Sequence, residues 1–175
     1  SDREDLEVLR EVDFEGHYLT SRMIEDNVYF VVNSYPRYWE ENQECEEIVP
    51  RYAEDGAELK PIAACTDIGY IEPLQAESFV TIASISFSDE NKEVEKEVVV
   101  GNAQNVYASL ENLYIAQTSY PRYNSLGSLV KDFSENTVVS KFSLKSGSVK
   151  FKGSGQVPGH ILNQFSMDEF KGNLR

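Results

Sequence analysis

An all-β chain assembled from repeated four-stranded antiparallel sheets is the architecture that this 175-residue sequence predicts, on three observations. First, one stretch occurs twice: N-V-Y-F-V-V-N-S-Y-P-R-Y at 27–38 and N-L-Y-I-A-Q-T-S-Y-P-R-Y at 112–123. Seven of the twelve positions are identical, including the whole S-Y-P-R-Y pentapeptide, and self-similarity at a fixed offset marks a repeat architecture. Second, apolar and polar residues alternate with the two-residue period of a strand. Val149 and Phe151 alternate with Ser148, Lys150 and Lys152, while Val94, Val98 and Val100 share a face opposite Glu95 and Glu97. Val138, Phe142 and Leu144 do the same against Lys141 and Ser143. Third, the segments between these runs carry hairpin chemistry, S-D-E-N-K at 88–92 and K-S-G at 145–147.

In chain order, residues 1–13 form an acidic lead-in, where Leu6, Val8, Leu9 and Val12 fit a short helix over 4–12. Stretches 27–32, 79–87 and 112–117 are rich in Val, Ile, Tyr and Phe and read as inner strands apolar on both faces. Strands at 94–100, 104–109, 137–144 and 148–153 complete the set. A weaker echo aligns S-I-S-F-S at 84–88 with K-F-S-L-K at 141–145, and N-V-Y-A at 105–108 with N-Q-F-S at 163–166. A third copy therefore opens at 161–167, with its next strand beginning at Asn173. The repeating unit is about 57–60 residues, and an acidic insertion of about 27 residues near 39–66 lengthens the first copy. Four antiparallel strands per repeat is the signature of a propeller blade. The prediction is a partial β-propeller over 14–175, about two and a half blades. The alternative is a β-sandwich in which two strands resemble each other by coincidence.

Charge narrows the partners. Thirty acids against sixteen bases give a net charge of −14, and residues 1–60 carry −11 of it. Such a surface is repelled by a phosphate backbone and by anionic lipid, so neither nucleic acid nor an acidic membrane is an expected partner. The bland reading of the acidic first third is a solvated, solubilising surface. With 41% hydrophobic residues the composition excludes disorder. No apolar run approaches the about 18 residues of a membrane-spanning helix.

Several stretches resemble a known family: D-N-V-Y-F-V-V-N at 26–33, T-I-A-S-I-S-F at 81–87, G-N-A-Q-N-V-Y-A-S-L-E-N-L-Y-I-A at 101–116, S-K-F-S-L at 140–144 and G-Q-V-P-G-H-I-L-N-Q-F-S-M-D-E-F-K-G-N-L-R at 155–175. The sequence is similar to secreted or membrane-tethered prokaryotic proteins with a C-terminal β-propeller distantly related to WD-repeat propellers. The resemblance implies an extracytoplasmic all-β propeller and transfers no catalytic residue; segment 39–66 lies outside its pattern. It also implies a larger ring, so the 175 residues are expected to be a fragment. Its unpaired strand edges would pair with the remaining blades or with another chain.

Candidate chemistry is sparse. Cys45 and Cys65 match no zinc spacing. They are either one disulfide, corresponding to about 3 kcal/mol of loop-closure stabilisation and favoured in an oxidising compartment, or two separate small apolar residues. His17 and His160 each follow a glycine and read as solvated loop residues. G-S-G at 153–155 reads as tight turns rather than a phosphate cradle. Asp67, Asp89, Glu90, Asp168 and Glu169 lack calcium-loop spacing. No metal, cofactor or catalytic residue is expected. The functional lead is the repeated pentapeptide: Tyr35, Arg37 and Tyr38, with Tyr120, Arg122 and Tyr123. In a propeller the loop after the second strand and the loop between blades leave by the same face, so both copies share a face with 101–104 and 153–161. Pro36 and Pro121 stiffen the turns, and arginines between tyrosines stack on aromatic rings. The patch either binds a partner or ties each blade to the next. Two functions follow, a non-enzymatic extracytoplasmic scaffold for a protein or polysaccharide, or a fragment of a propeller enzyme whose catalytic or metal residues lie in other blades.

Overall fold

The computed structural model describes residues 7–36, 43–70, 78–119 and 135–175. The first large sheet contains β2 (His17–Ile24), β3 (Asn27–Ser34), β7 (Phe79–Ser86) and β8 (Glu95–Val100), antiparallel throughout and ordered β2-β3-β7-β8. A fifth strand, β6 (Gly69–Tyr70), joins the outer edge parallel to β8. The second sheet repeats the plan with β9 (Asn105–Ala108), β10 (Asn112–Ser119), β11 (Asn136–Lys145) and β12 (Ser148–Pro158), in the order β9-β10-β11-β12. A last hairpin, β13 (Glu169–Phe170) and β14 (Asn173–Leu174), follows.

The sequence repeat is also a structural one. Tyr29 occupies the third position of β3 opposite Ser84, and Tyr114 the third position of β10 opposite Lys141. They are 2% and 3% exposed. No helix interrupts residues 78–119. Hairpins close with turns demanding positive φ: Ser146 and Gly147 lie at φ 50° and 85°, Lys171 and Gly172 at 51° and 77°, the signature of type I′ geometry matched to strand twist.

Alternation decides which residues meet between the sheets. Tyr29, Val31, Val80 and Ile82 of the first face Leu113, Ile115 and Phe142 of the second in one shared core. The other flank of the first sheet packs on a small sheet of β1 (Val12–Phe14), β4 (Arg51–Glu54) and β5 (Lys60–Pro61), which joins the lead-in to the insertion. Within the insertion, α1 (Cys45–Ile48) is linked to the 3₁₀ turn Cys65–Asp67 by the Cys45–Cys65 disulfide, with Cα atoms 6.2 Å apart.

Four expectations need correction. Residues 7–11 are irregular and Val12 opens β1, so the described part of 4–12 is not helical; the lead-in contributes a strand edge to the small sheet instead. Residues 161–167 hold no strand. Asn163 accepts the Phe165 N–H and caps a 3₁₀ turn at Gln164–Ser166, and the third copy opens at Glu169. His17 opens β2 rather than lying in a loop. Gly153 and Gly155 lie inside β12 rather than in a turn: the register slips between Lys141 and Phe142, which puts Gly153 at a bulge, and Gly155 pairs in register with Val139.

Candidate functional site

The pentapeptides begin at matched places. Ser34 ends β3 and Ser119 ends β10, both fully buried. Hydrogen bonds place the two strand ends on the same end of the molecule. Asn33 grips the Ala103 backbone twice, donating from Nδ2 to its carbonyl at 2.8 Å and accepting its N–H on Oδ1 at 3.0 Å. The segment around Ala103 is in turn held to β10: the Asn102 N–H donates to Gln117 Oε1 at 3.1 Å, and the Thr118 N–H to Gln104 Oε1 at 2.8 Å. These four bonds to backbone groups, three of them partly buried, tie the loop bases to one another.

On that platform Tyr35 is 63% exposed, with His17 edge-on at 6.3 Å between ring centroids. A large exposed aromatic beside an imidazole is suited to stacking on a flat or amphipathic ligand face. Arg37, Tyr38, Tyr120, Arg122 and Tyr123 lie outside the described residues. His160, near Glu135 at 3.2 Å, sits where the Gly159 N–H and the Glu135 carbonyl close the end of β12.

The opposite end carries the hairpin turns. There the Gly147 N–H donates to the Tyr29 hydroxyl at 2.9 Å and Lys92 Nζ to the Ser146 carbonyl at 2.7 Å. Beside them a cavity of about 400 Å³ is lined by residues including Ile24, Leu110, Leu144 and Lys145. At the second junction the Glu169 carboxylate accepts from Ser109 Oγ at 2.8 Å and Asn112 Nδ2 at 3.1 Å, while its backbone N–H donates to Tyr107 at 3.1 Å. Burial raises the acid's pKa, but the hydrogen bonds from Ser109 and Asn112, with the neighbouring Tyr114 hydroxyl and the Lys141 charge, outweigh it and hold Glu169 below its ordinary value. Burial pushes the Tyr29 and Tyr114 phenols up. This polar cluster is structural in kind and was not singled out from the sequence. The signal was the asparagine recurring at 27, 112 and 173, each at the start of a hairpin's second strand.

Four-stranded antiparallel sheets packed face to face, with equivalent residues at equivalent registers, define a propeller-type protein. The chain belongs to the family described as the beta propeller domain, whose model matches residues 1–175. It is 36% identical over 77 residues to an uncharacterized protein of Methanocaldococcus jannaschii, a match covering 38% of this chain and 12% of that protein. The chain therefore spans a small part of that relative's length. No solved structure matches it. Among the described residues no helix is long and apolar enough to cross a membrane.

Proposed function

We propose that this chain is part of a non-enzymatic extracytoplasmic propeller, akin to secreted prokaryotic propellers distantly related to WD-repeat proteins. It binds a protein or polysaccharide through the face where the two S-Y-P-R-Y copies begin. The observation that carries the reading is the pairing of Ser34 with Ser119, buried at the same register of equivalent strands with Tyr35 exposed immediately beyond. A repeated sequence that joins tyrosine and arginine has the composition enriched at binding hot spots. The Cys45–Cys65 bridge supports an oxidising compartment.

The test compares Arg37→Ala/Arg122→Ala and Tyr35→Ala/Tyr120→Ala with the parent chain, in thermal melting and in binding to an array of surface polysaccharides and secreted proteins. Lost binding at unchanged melting temperature is expected. Lowered melting with ligand capture retained in both variants identifies the pentapeptides as ties between blades and overturns the binding reading. For the compartment, intact mass is measured before and after reduction of the secreted protein. Failure to gain two hydrogens overturns the extracytoplasmic assignment.

A further inference from the structure

We propose that the cavity between the two large sheets, at the hairpin-turn end, binds a free α-amino acid with an aliphatic side chain. It lies at the end opposite the S-Y-P-R-Y copies and is walled by the two described sheets alone, so it persists whatever blades complete the ring. Its volume of about 400 Å³ falls at the small-ligand end of the range for binding cavities, about 300–1,000 Å³. The repeat says what is missing there. Ile24 and Tyr29 of the wall are the counterparts of Ser109 and Tyr114, which at the second junction stand around the Glu169 carboxylate. The Asn112 amide donates to that carboxylate at 3.1 and 3.2 Å. Its counterpart Asn27 is 8% exposed, yet its Oδ1 has no hydrogen-bond partner among the described residues. The position of Glu169 is held by Ala108 in the second sheet, which brings no carboxylate. The first junction therefore keeps the amide and the phenol that surround the acid at the second, but not the acid. Buried polar groups are nearly always paired, so an unpaired one beside a cavity points to a missing partner.

The walls decide the ligand's chemistry. Ile24, Leu110 and Leu144 give the cavity an apolar side, and Leu110 is 78% exposed. Charge around it is balanced rather than of one sign. The exposed acids Glu25 and Glu111 belong to the β2–β3 and β9–β10 turns, and the exposed base Lys145 ends β11. Lys92 adds a second base, its Nζ donating to the Ser146 carbonyl of the wall at 2.7 Å. An anion alone meets two carboxylates and a cation alone meets two ammonium groups, so each faces like charge. A zwitterion meets both signs. Its carboxylate takes the place that Glu169 holds at the second junction, accepting from Asn27 Nδ2 and paired with Lys145. Its ammonium faces Glu25 and Glu111, and its aliphatic chain covers Leu110.

Titration of the unmutated chain with L-leucine, followed by amide chemical shifts, tests this, with isocaproate and isoamylamine as single-charge controls. Leucine is expected to shift the amides of 24–29, 109–111 and 144–147, with each control binding at least about tenfold more weakly. Unmoved amides in those three segments overturn the proposal. So does a control that binds as tightly as leucine, which would reduce the site to one charge or to apolar contact. Glu25→Gln/Glu111→Gln alters two exposed side chains and is expected to weaken leucine about tenfold while leaving isocaproate no weaker. Unchanged leucine affinity in that variant overturns the zwitterion reading. Ala108→Glu supplies the missing carboxylate from the chain itself and is expected to abolish leucine binding. A folded variant, by circular dichroism, that binds leucine as the parent does overturns the equivalence with Glu169 on which the proposal rests. If that variant fails to fold, the titrations of the unmutated chain still decide.

Discussion

At the junction between the two large sheets, Tyr29 receives the Gly147 amide at 2.9 Å, and Asn27 keeps a buried Oδ1 with no hydrogen-bond partner among the described residues. At the next junction the equivalent Asn112 donates to Glu169, and the Tyr114 hydroxyl lies beside the same carboxylate. Counted back from the repeated asparagine, the position of Glu169 is held by Ala108 in the second sheet, so the first junction has no acid to place there. There the backbone of Gly147, from the β11–β12 turn, donates to the Tyr29 phenol. One pair of repeated side chains thus serves two solutions, and the repeat dictates where a polar group is presented but not what meets it.

This contrast can be broken at either end. The largest effect is expected from Gly147→Ala. Gly147 has φ 85°, and a Cβ there falls 2.5 Å from both Asn27 Oδ1 and Lys92 Nζ. Left-handed strain of about 1–2 kcal/mol plus the displacement of Asn27 predicts a total loss of about 2–4 kcal/mol in denaturant unfolding. Gly172, in the turn of the β13–β14 hairpin, is a glycine at φ 77° with nothing within 4 Å of an added Cβ. Gly172→Ala is therefore expected to show the strain alone, about 1–2 kcal/mol. Equal losses at the two glycines would remove the crowding argument.

Glu169→Gln comes next. Removing a carboxylate that accepts from Ser109 and Asn112 is expected to cost about 1–2 kcal/mol, in the range of hydrogen bonds to charged groups. The variant should expose β13 and β14 first, seen as faster amide exchange at 169–174. The pH dependence has a definite sign. Because the folded-state pKa of Glu169 lies below its ordinary value of 4.5, its contribution is present above that value and lost as pH falls through the folded one. The glutamine variant should lose less stability on acidification than the parent.

Glu97 sharpens the comparison from the other junction. Burial against β12 raises its pKa, partly offset by the Phe151 N–H and the Lys150 charge. A raised folded-state value means that the folded chain holds the proton longer than the unfolded one, so stability declines as pH rises through that window. Glu97→Gln is expected to stabilise the protein at neutral pH, by less than about 1 kcal/mol. A destabilised Glu97→Gln would mean that its bond to Phe151 outweighs its desolvation. Smallest is Lys92→Met, which removes the bond to the Ser146 carbonyl. Near the surface this should cost about 0.5 kcal/mol.

Much of the architecture was legible because strand alternation and the repeated stretch are local signals. β3 and β10 were readable from Val, Ile and Tyr content, and their equivalence from S-Y-P-R-Y. β2 was not, since H-Y-L-T-S-R-M-I faces solvent along much of its length and therefore lacks a clean alternation. The false strand at 161–167 arose from matching Asn163 to Asn105, when Asn163 serves as a 3₁₀ cap and the repeat's asparagine is Asn173. The candidate site was legible as a pair of motifs and as a shared end of the molecule. The contribution of His17 was not, because its contact with Tyr35 joins the start of one strand to the end of its neighbour.

By itself, the order of residues determined that the chain is all-β, that it copies a four-stranded unit, and that the two S-Y-P-R-Y stretches begin at the same register. These follow from periodicity and identity, which act over a few residues. Only the tertiary structure decided that the acidic insertion folds back with β1 onto the first sheet, and that Glu169 answers Asn112 where Gly147 answers Tyr29. Those outcomes depend on which faces remain uncovered once the sheets have packed, and burial is a property of the assembled surfaces rather than of any one segment.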